Sequence, residues 1–169
     1  MEWTGARYAD KPAVEVRVWI SAPPARVWAL VSDIELMPAL SSELQSVEWL
    51  DGASGPAAGA RFTGRSKHEA LGEWETTSQV VEFEPEHLFG WAVGDPADPA
   101  ALWRFRLEPH DGGTDLSEWV QMGPGRSGLS FAIDRMPDKE QKIVFVRMRE
   151  FERNITVTLE QIKTLAEAR

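Results

Sequence analysis

The chain has no cysteine, so disulfides, thiolate nucleophiles and cysteine-ligated zinc are excluded together. Histidine is scarce too. His68, His87 and His110 lie scattered with no i, i+4 pair, so no metal site is expected, and no cofactor. Basic residues number 18 against 27 acidic ones, a formal net charge of -9. Such a surface disfavours phosphate backbones and anionic membranes as partners. No apolar run approaches the length of a membrane-spanning helix. The opening "MEWTGARYADKP" has an acidic second residue and no apolar stretch, so it does not read as a signal peptide or anchor. The expectation is a soluble cytoplasmic protein without nucleic-acid partner or membrane insertion; nothing in the composition sets an oligomeric state.

What is present suits one domain over residues 1–169, with residues 1–12 a loose N-terminal segment. The chain is 43% hydrophobic, and at this length a single core buries roughly 70% of the unfolded surface. "AVEVRVWI" alternates Val14, Val16, Val18 and Ile20 against Glu15, Arg17 and Trp19, a half-buried strand. "SAPPARVWALVSD" follows, with Pro24 in a first helical turn and Val27, Leu30 and Val31 as its apolar stripe. A second short helix is read from Asp33, as cap, to near Pro38.

From Glu43 to Met122 six more strands are predicted: "ELQSVEWL", "ARFTGRSKHEA", "GEWETTSQVVEFE", "HLFGWAV", "ALWRFRLEP" and "GTDLSEWVQM". Turn residues such as Asp51-Gly52, Leu71-Gly72 and Asp111-Gly112-Gly113 separate them. These joints are too short for helical crossovers, so the strands form an antiparallel meander. From Asp138, with Gln141 completing a capping box, Val144, Met148, Phe151, Ile155, Leu159, Ile162 and Ala166 recur at steps of three and four. They mark one amphipathic helix about 40 Å long.

The segment "MGPGRSG" places Gly123, Gly125 and Gly128 at the G-x-G-x-x-G spacing of a dinucleotide loop. Its context rejects that reading. The preceding sheet is antiparallel, no strand follows the helix, and Pro124 lacks one of the backbone N–H groups a phosphate would need. The following "LSFAIDRM" carries Leu129, Phe131, Ile133 and Met136 into a connection where apolar groups need something to cover. It reads either as a flap with one helical turn closing over a hollow or as a fixed plug in the end of the core.

Strand alternation supplies a candidate lining. Phe62, Gly64, Ser66 and His68 share a face opposite Arg61, Thr63, Arg65 and Lys67. Trp74, Thr76, Ser78 and Val80 share another, as do Trp103, Phe105 and Leu107. Leu116, Glu118, Val120 and Met122 form the last set, which puts a carboxylate on the apolar side. Such a carboxylate has a raised pKa, and with His68 would make a candidate catalytic acid/base pair. The alternatives are that Glu118 lies at the strand's wet end and that His68 only borders a turn. Trp91 is a further lining candidate, though "LFGWAV" is apolar on both faces; Phe131 from the flap and Met148, Phe151 and Ile155 from the helix complete the set. Eight tryptophans in one chain favour flat, ring-containing ligands if the cavity is rich in them.

The order strand, two short helices, six-strand meander and long helix is that of the α+β helix-grip fold. Over about Ala13 to Ala166 the chain resembles the START-related superfamily, in particular its polyketide cyclase/dehydrase and lipid-transport branch. The resemblance is carried by "ISAPPARVWALVSD", "GARFTGR", "VVEFEPEHLFGW", "DGGTDL" and the final helix. It implies a curved sheet of about seven strands around the helix, a cavity between them for apolar or amphipathic small molecules, and a loop over Met122 to Pro137 near its mouth. The fold itself does not set the activity. Binding or carriage of a lipid-like or polyketide-like ring compound, a cyclase or dehydratase acting in the same cavity, and a protein-interaction module with a filled core all stand at this point.

Overall fold

The computed structural model describes residues 1–169. Seven antiparallel strands form one curved sheet: β1 (Ala13–Ile20), β2 (Leu44–Trp49), β3 (Arg61–His68), β4 (Gly72–Glu84), β5 (Leu88–Asp95), β6 (Asp98–His110) and β7 (Gly113–Met122). The order across it is β1-β7-β6-β5-β4-β3-β2. From β2 to β7 each strand pairs with the next in sequence, and β1 closes onto β7 with Val16 opposite Glu118. The register shifts between Leu44 and Ser46, between Val80 and Glu82 and between Val93 and Gly94, the kind of irregularity that bends a strand and deepens the sheet's twist.

Between β1 and β2 lie α1 (Pro24–Val31) and α2 (Met37–Leu40). The second helix starts later than the sequence suggests. Asp33 instead accepts a hydrogen bond from the Glu35 N–H at 3.1 Å, holding a turn before Pro38 enters the first helical turn. The final helix, here α4 (Glu140–Glu167), packs chiefly on β1. It buries Val144, Met148, Ile155, Leu159, Ile162 and Ala166, the three-four stripe, which supplies the stability that its β-branched "ITVT" lacks by propensity. Phe151 is half-buried and meets Trp103 edge-on at 5.4 Å. The helix begins at Glu140 without a side-chain cap, after a 3-10 turn at Pro137–Lys139. Gln141 does not complete the expected capping box with Asp138, because its amide donates to the Gly5 carbonyl at 2.7 Å.

That bond belongs to a second departure. The N-terminal segment, expected to be loose, is docked. Tyr8 is buried, and its hydroxyl bonds the Gly125 carbonyl at 2.5 Å and Ser127 Oγ at 3.2 Å. Arg7 reaches Glu140 at 3.1 Å, and Trp3 packs edge-on against Phe145. The glycine run answers to this packing. A Cβ on Gly123 would lie 2.9 Å from the Tyr8 ring, and one on Gly125 would lie 2.1 Å from the Asp98 carbonyl oxygen. These glycines let two backbones and a ring approach each other, and no phosphate loop is needed to explain them.

Candidate functional site

Sheet and α4 do not meet over their whole length. Between them lies a cavity of about 760 Å³, with 20 of its 36 lining residues hydrophobic. The filled core that an interaction module would have is therefore not present. The inward faces of β3 and β4 contribute Phe62, Ser66, Trp74, Thr76 and Ser78, and the floor is Trp91, Trp103 and Phe105 from β5 and β6. Trp91 and Trp103 stand opposite each other in register and stack with centroids 6.2 Å apart and planes within 8°. Ambiguous in the sequence, Trp91 thus points inward, 8% exposed. Met122, Phe151 and Ile155 close further sides.

The segment after β7 forms α3 (Gly128–Arg135), two turns rather than one. Leu129 packs into the core while Phe131, 65% exposed, stands at the cavity's edge. Two predicted lining residues lie elsewhere: Leu116 (0% exposed) and Met148 (6%) are packed in the core instead.

Glu118 lines the cavity and is 6% exposed, with its Oε2 buried and without a hydrogen-bond partner. Burial raises its pKa from the ordinary 4.5 to about 8, so near pH 7 it is mostly the neutral acid. His68 does not join it. It is outside the cavity lining, and its Nε2 lies 2.5 Å from Glu150 on α4. Its Nδ1 accepts the N–H groups of Ala70 and Leu71 at 3.0 and 3.1 Å, which leaves the Nε2–H to donate to Glu150. The histidine at a turn, one of the alternatives in the sequence, describes the observed position.

A polar cluster that strand alternation did not reveal lies at the α2–β2 end. Arg147, buried on α4, donates to both oxygens of Glu43 at 2.8 and 2.7 Å, and Asn154 adds a third bond at 3.0 Å. The guanidinium also lies over the Phe151 ring, 4.5 Å from its centroid. Glu43, His68 and Glu150 bring possible metal-ligand atoms within 4.8 Å of one another. Arg147 already places its positive charge there, 3.5 Å from Glu150 as well as on Glu43. The available sequence signal was Arg147 on the apolar stripe of α4, one position before Met148, where a charge needs a buried partner.

The family model for polyketide cyclase / dehydrase and lipid transport matches residues 11–167. The chain belongs to this family. A Polyketide_cyc-like protein from Corynebacterium glutamicum is 34% identical, with 92% of this chain and 91% of that one covered and a TM-score of 0.67. A di-domain ARO/CYC from the BE-7585A biosynthetic pathway is 22% identical at a TM-score of 0.68, with 94% of this chain covering 51% of the larger protein. A Deinococcus radiodurans protein shares the fold at 20% identity and a TM-score of 0.54, over 78% of this chain and 98% of that one. Among curated proteins no match was found. No helix is long and apolar enough to cross a membrane.

Proposed function

We propose that the protein binds a small, hydrophobic, ring-containing molecule between sheet and helix, and sequesters or carries it. The observation that carries this reading is the cavity itself, about 760 Å³ with the parallel Trp91 and Trp103 rings in its wall. Ligand sites run from about 300 to 1,000 Å³, mostly apolar with a few placed polar groups, and aromatic walls suit flat rings. Family membership supports the same reading, because its description joins lipid transport to polyketide chemistry. Titration of the purified protein with 2-ethylnaphthalene, followed by tryptophan fluorescence, tests it. Saturable quenching that disappears in Thr76→Trp, where a new ring occupies the cavity, supports the reading. Absence of saturable binding overturns it.

Glu118 favours a second reading, an enzyme of cyclase or dehydratase type in the same cavity. A carboxyl whose pKa is about 8 gives up and takes back a proton near neutrality. With His68 committed to Glu150, Glu118 would serve as both acid and base. Glu118→Gln separates the readings. An enzyme loses turnover and keeps affinity, whereas a carrier has no turnover to lose and changes only in affinity.

A further inference from the structure

Five charged side chains line the cavity, and four are already paired. Glu43 holds Arg147, Glu75 accepts from Arg65 at 2.9 Å, and Arg126 donates to Asp134. Glu118 alone has no partner for a buried oxygen. Its neighbours in the sheet offer none. Val16 on β1 and Phe105 on β6 are its cross-strand neighbours, and Leu116 and Val120 flank it on its own face of β7, both fully buried. Oε2 itself is closed off, and the 6% of the side chain that stays exposed is where Glu118 meets the cavity it lines.

We infer that Glu118 selects the ligand, its carboxyl donating a hydrogen bond to a neutral acceptor oxygen, a ring-borne ketone or amide carbonyl, seated against Phe105 and Trp103. The inference rests on the ligand-binding reading and deepens it. A buried polar group left unpaired is destabilising, and a ligand acceptor is the partner this site lacks. The neutral acid has a proton to donate. The other charged groups of the lining, Glu43, Glu75, Arg126 and Arg147, do not shift it, since burial is the sole cause of its raised pKa. Ammonium groups fit less well, because bringing a cation to this dry wall desolvates two charges at once. An anionic oxygen would bring a charge with no free cation to meet it.

Two probes of nearly equal shape, 2-acetonaphthone and 2-ethylnaphthalene, differ in the carbonyl. Their affinity ratio is measured by fluorescence titration in wild type, Glu118→Gln and Glu118→Leu. The hydrocarbon controls each variant for folding and for an intact cavity. The ratio in favour of the ketone is expected to be about tenfold higher in wild type than in Glu118→Leu. Glu118→Gln, whose amide N–H still donates, retains most of it. In wild type the ratio falls as pH rises through about 8, because the carboxylate no longer donates; in Glu118→Gln it is flat with pH. A ratio unchanged in Glu118→Leu, or one that rises with pH in wild type, overturns the inference while hydrocarbon binding keeps the cavity reading intact. If neither probe binds, both fall.

Discussion

Glu43 and Glu118 line the same cavity, one at the α2–β2 end and the other on β7. Glu43 receives both Arg147 nitrogens and the Asn154 amide. Glu118 receives nothing at its buried oxygen. The difference is one of provision. At one end the fold supplies the counter-charge and the donors, so the carboxylate ties the start of β2 to α4 and works as structure. At the other it supplies only apolar neighbours, so the carboxyl destabilises the empty protein and has its hydrogen-bonding capacity free for a ligand.

The largest expected effect comes from breaking the paired end. Arg147→Met leaves Glu43 mostly buried without its counter-charge and should destabilise the fold by about 3 kcal/mol, read as a lower denaturation midpoint. Glu43→Leu added to Arg147→Met should recover most of the loss, since an apolar pair replaces an ionic one. A double variant as unstable as Arg147→Met would mean that the pair does not act as a unit.

The unpaired end should respond in the opposite sense. The folded-state pKa of Glu118 lies above the ordinary 4.5, at about 8. Between these values the native state holds a proton that the unfolded state has released, so stability falls as pH rises through this window. The slope is about 1.4 kcal/mol per pH unit. Below the window the penalty is absent, and above it the penalty is complete. Glu118→Leu should abolish this slope, checked by denaturant unfolding of both proteins at about pH 5, 6 and 7. Parallel pH profiles would remove Glu118 from the account of stability.

The segment over residues 123–137 follows β7, the strand that carries Glu118, and is held by the N-terminus. Tyr8→Phe loses the hydroxyl bonds to Gly125 and Ser127, at a cost of about 1 kcal/mol. Amide exchange over residues 123–137 should quicken, and in wild type it should slow when 2-acetonaphthone binds. Equal, strong protection with and without the probe would make the segment a fixed plug. The smallest effect belongs to His68→Ala. It cuts the contacts to Glu150, Ala70 and Leu71 but removes no side chain from the cavity wall, in which Leu71 stays, so probe affinity should change by less than about twofold.

The strands of the meander and the long helix were legible because alternation along Phe62 to His68 or Trp103 to Leu107, and the three-four spacing from Val144 to Ala166, each repeat often enough to fix a face; that β1 closes onto β7 was not. The same periodicity placed most of the cavity wall, Glu118 included. It misplaced Leu116 and Met148, since facing inward does not distinguish cavity wall from packed core; that depends on how far α4 stands from the sheet at each level. It paired His68 with Glu118 because alternation says nothing about which residue of α4 arrives opposite, and Glu150 is the one that does. The Arg147–Glu43 pair, 104 positions apart, is a property of the fold rather than of any local pattern. The docked N-terminus was missed for the same reason, since the Tyr8 hydroxyl bonds Gly125 and Ser127, more than a hundred residues away.

The most direct measurement is the titration of the Glu118 carboxyl carbon by NMR, with its resonance assigned by comparison with Glu118→Gln, from about pH 5 to about pH 10. A midpoint near 8 is expected in the free protein, and a higher one when 2-acetonaphthone is bound, because a carbonyl acceptor stabilises the protonated form. A midpoint in the ordinary carboxylate range, or one that moves downward on adding the ketone, would contradict a donor role for Glu118.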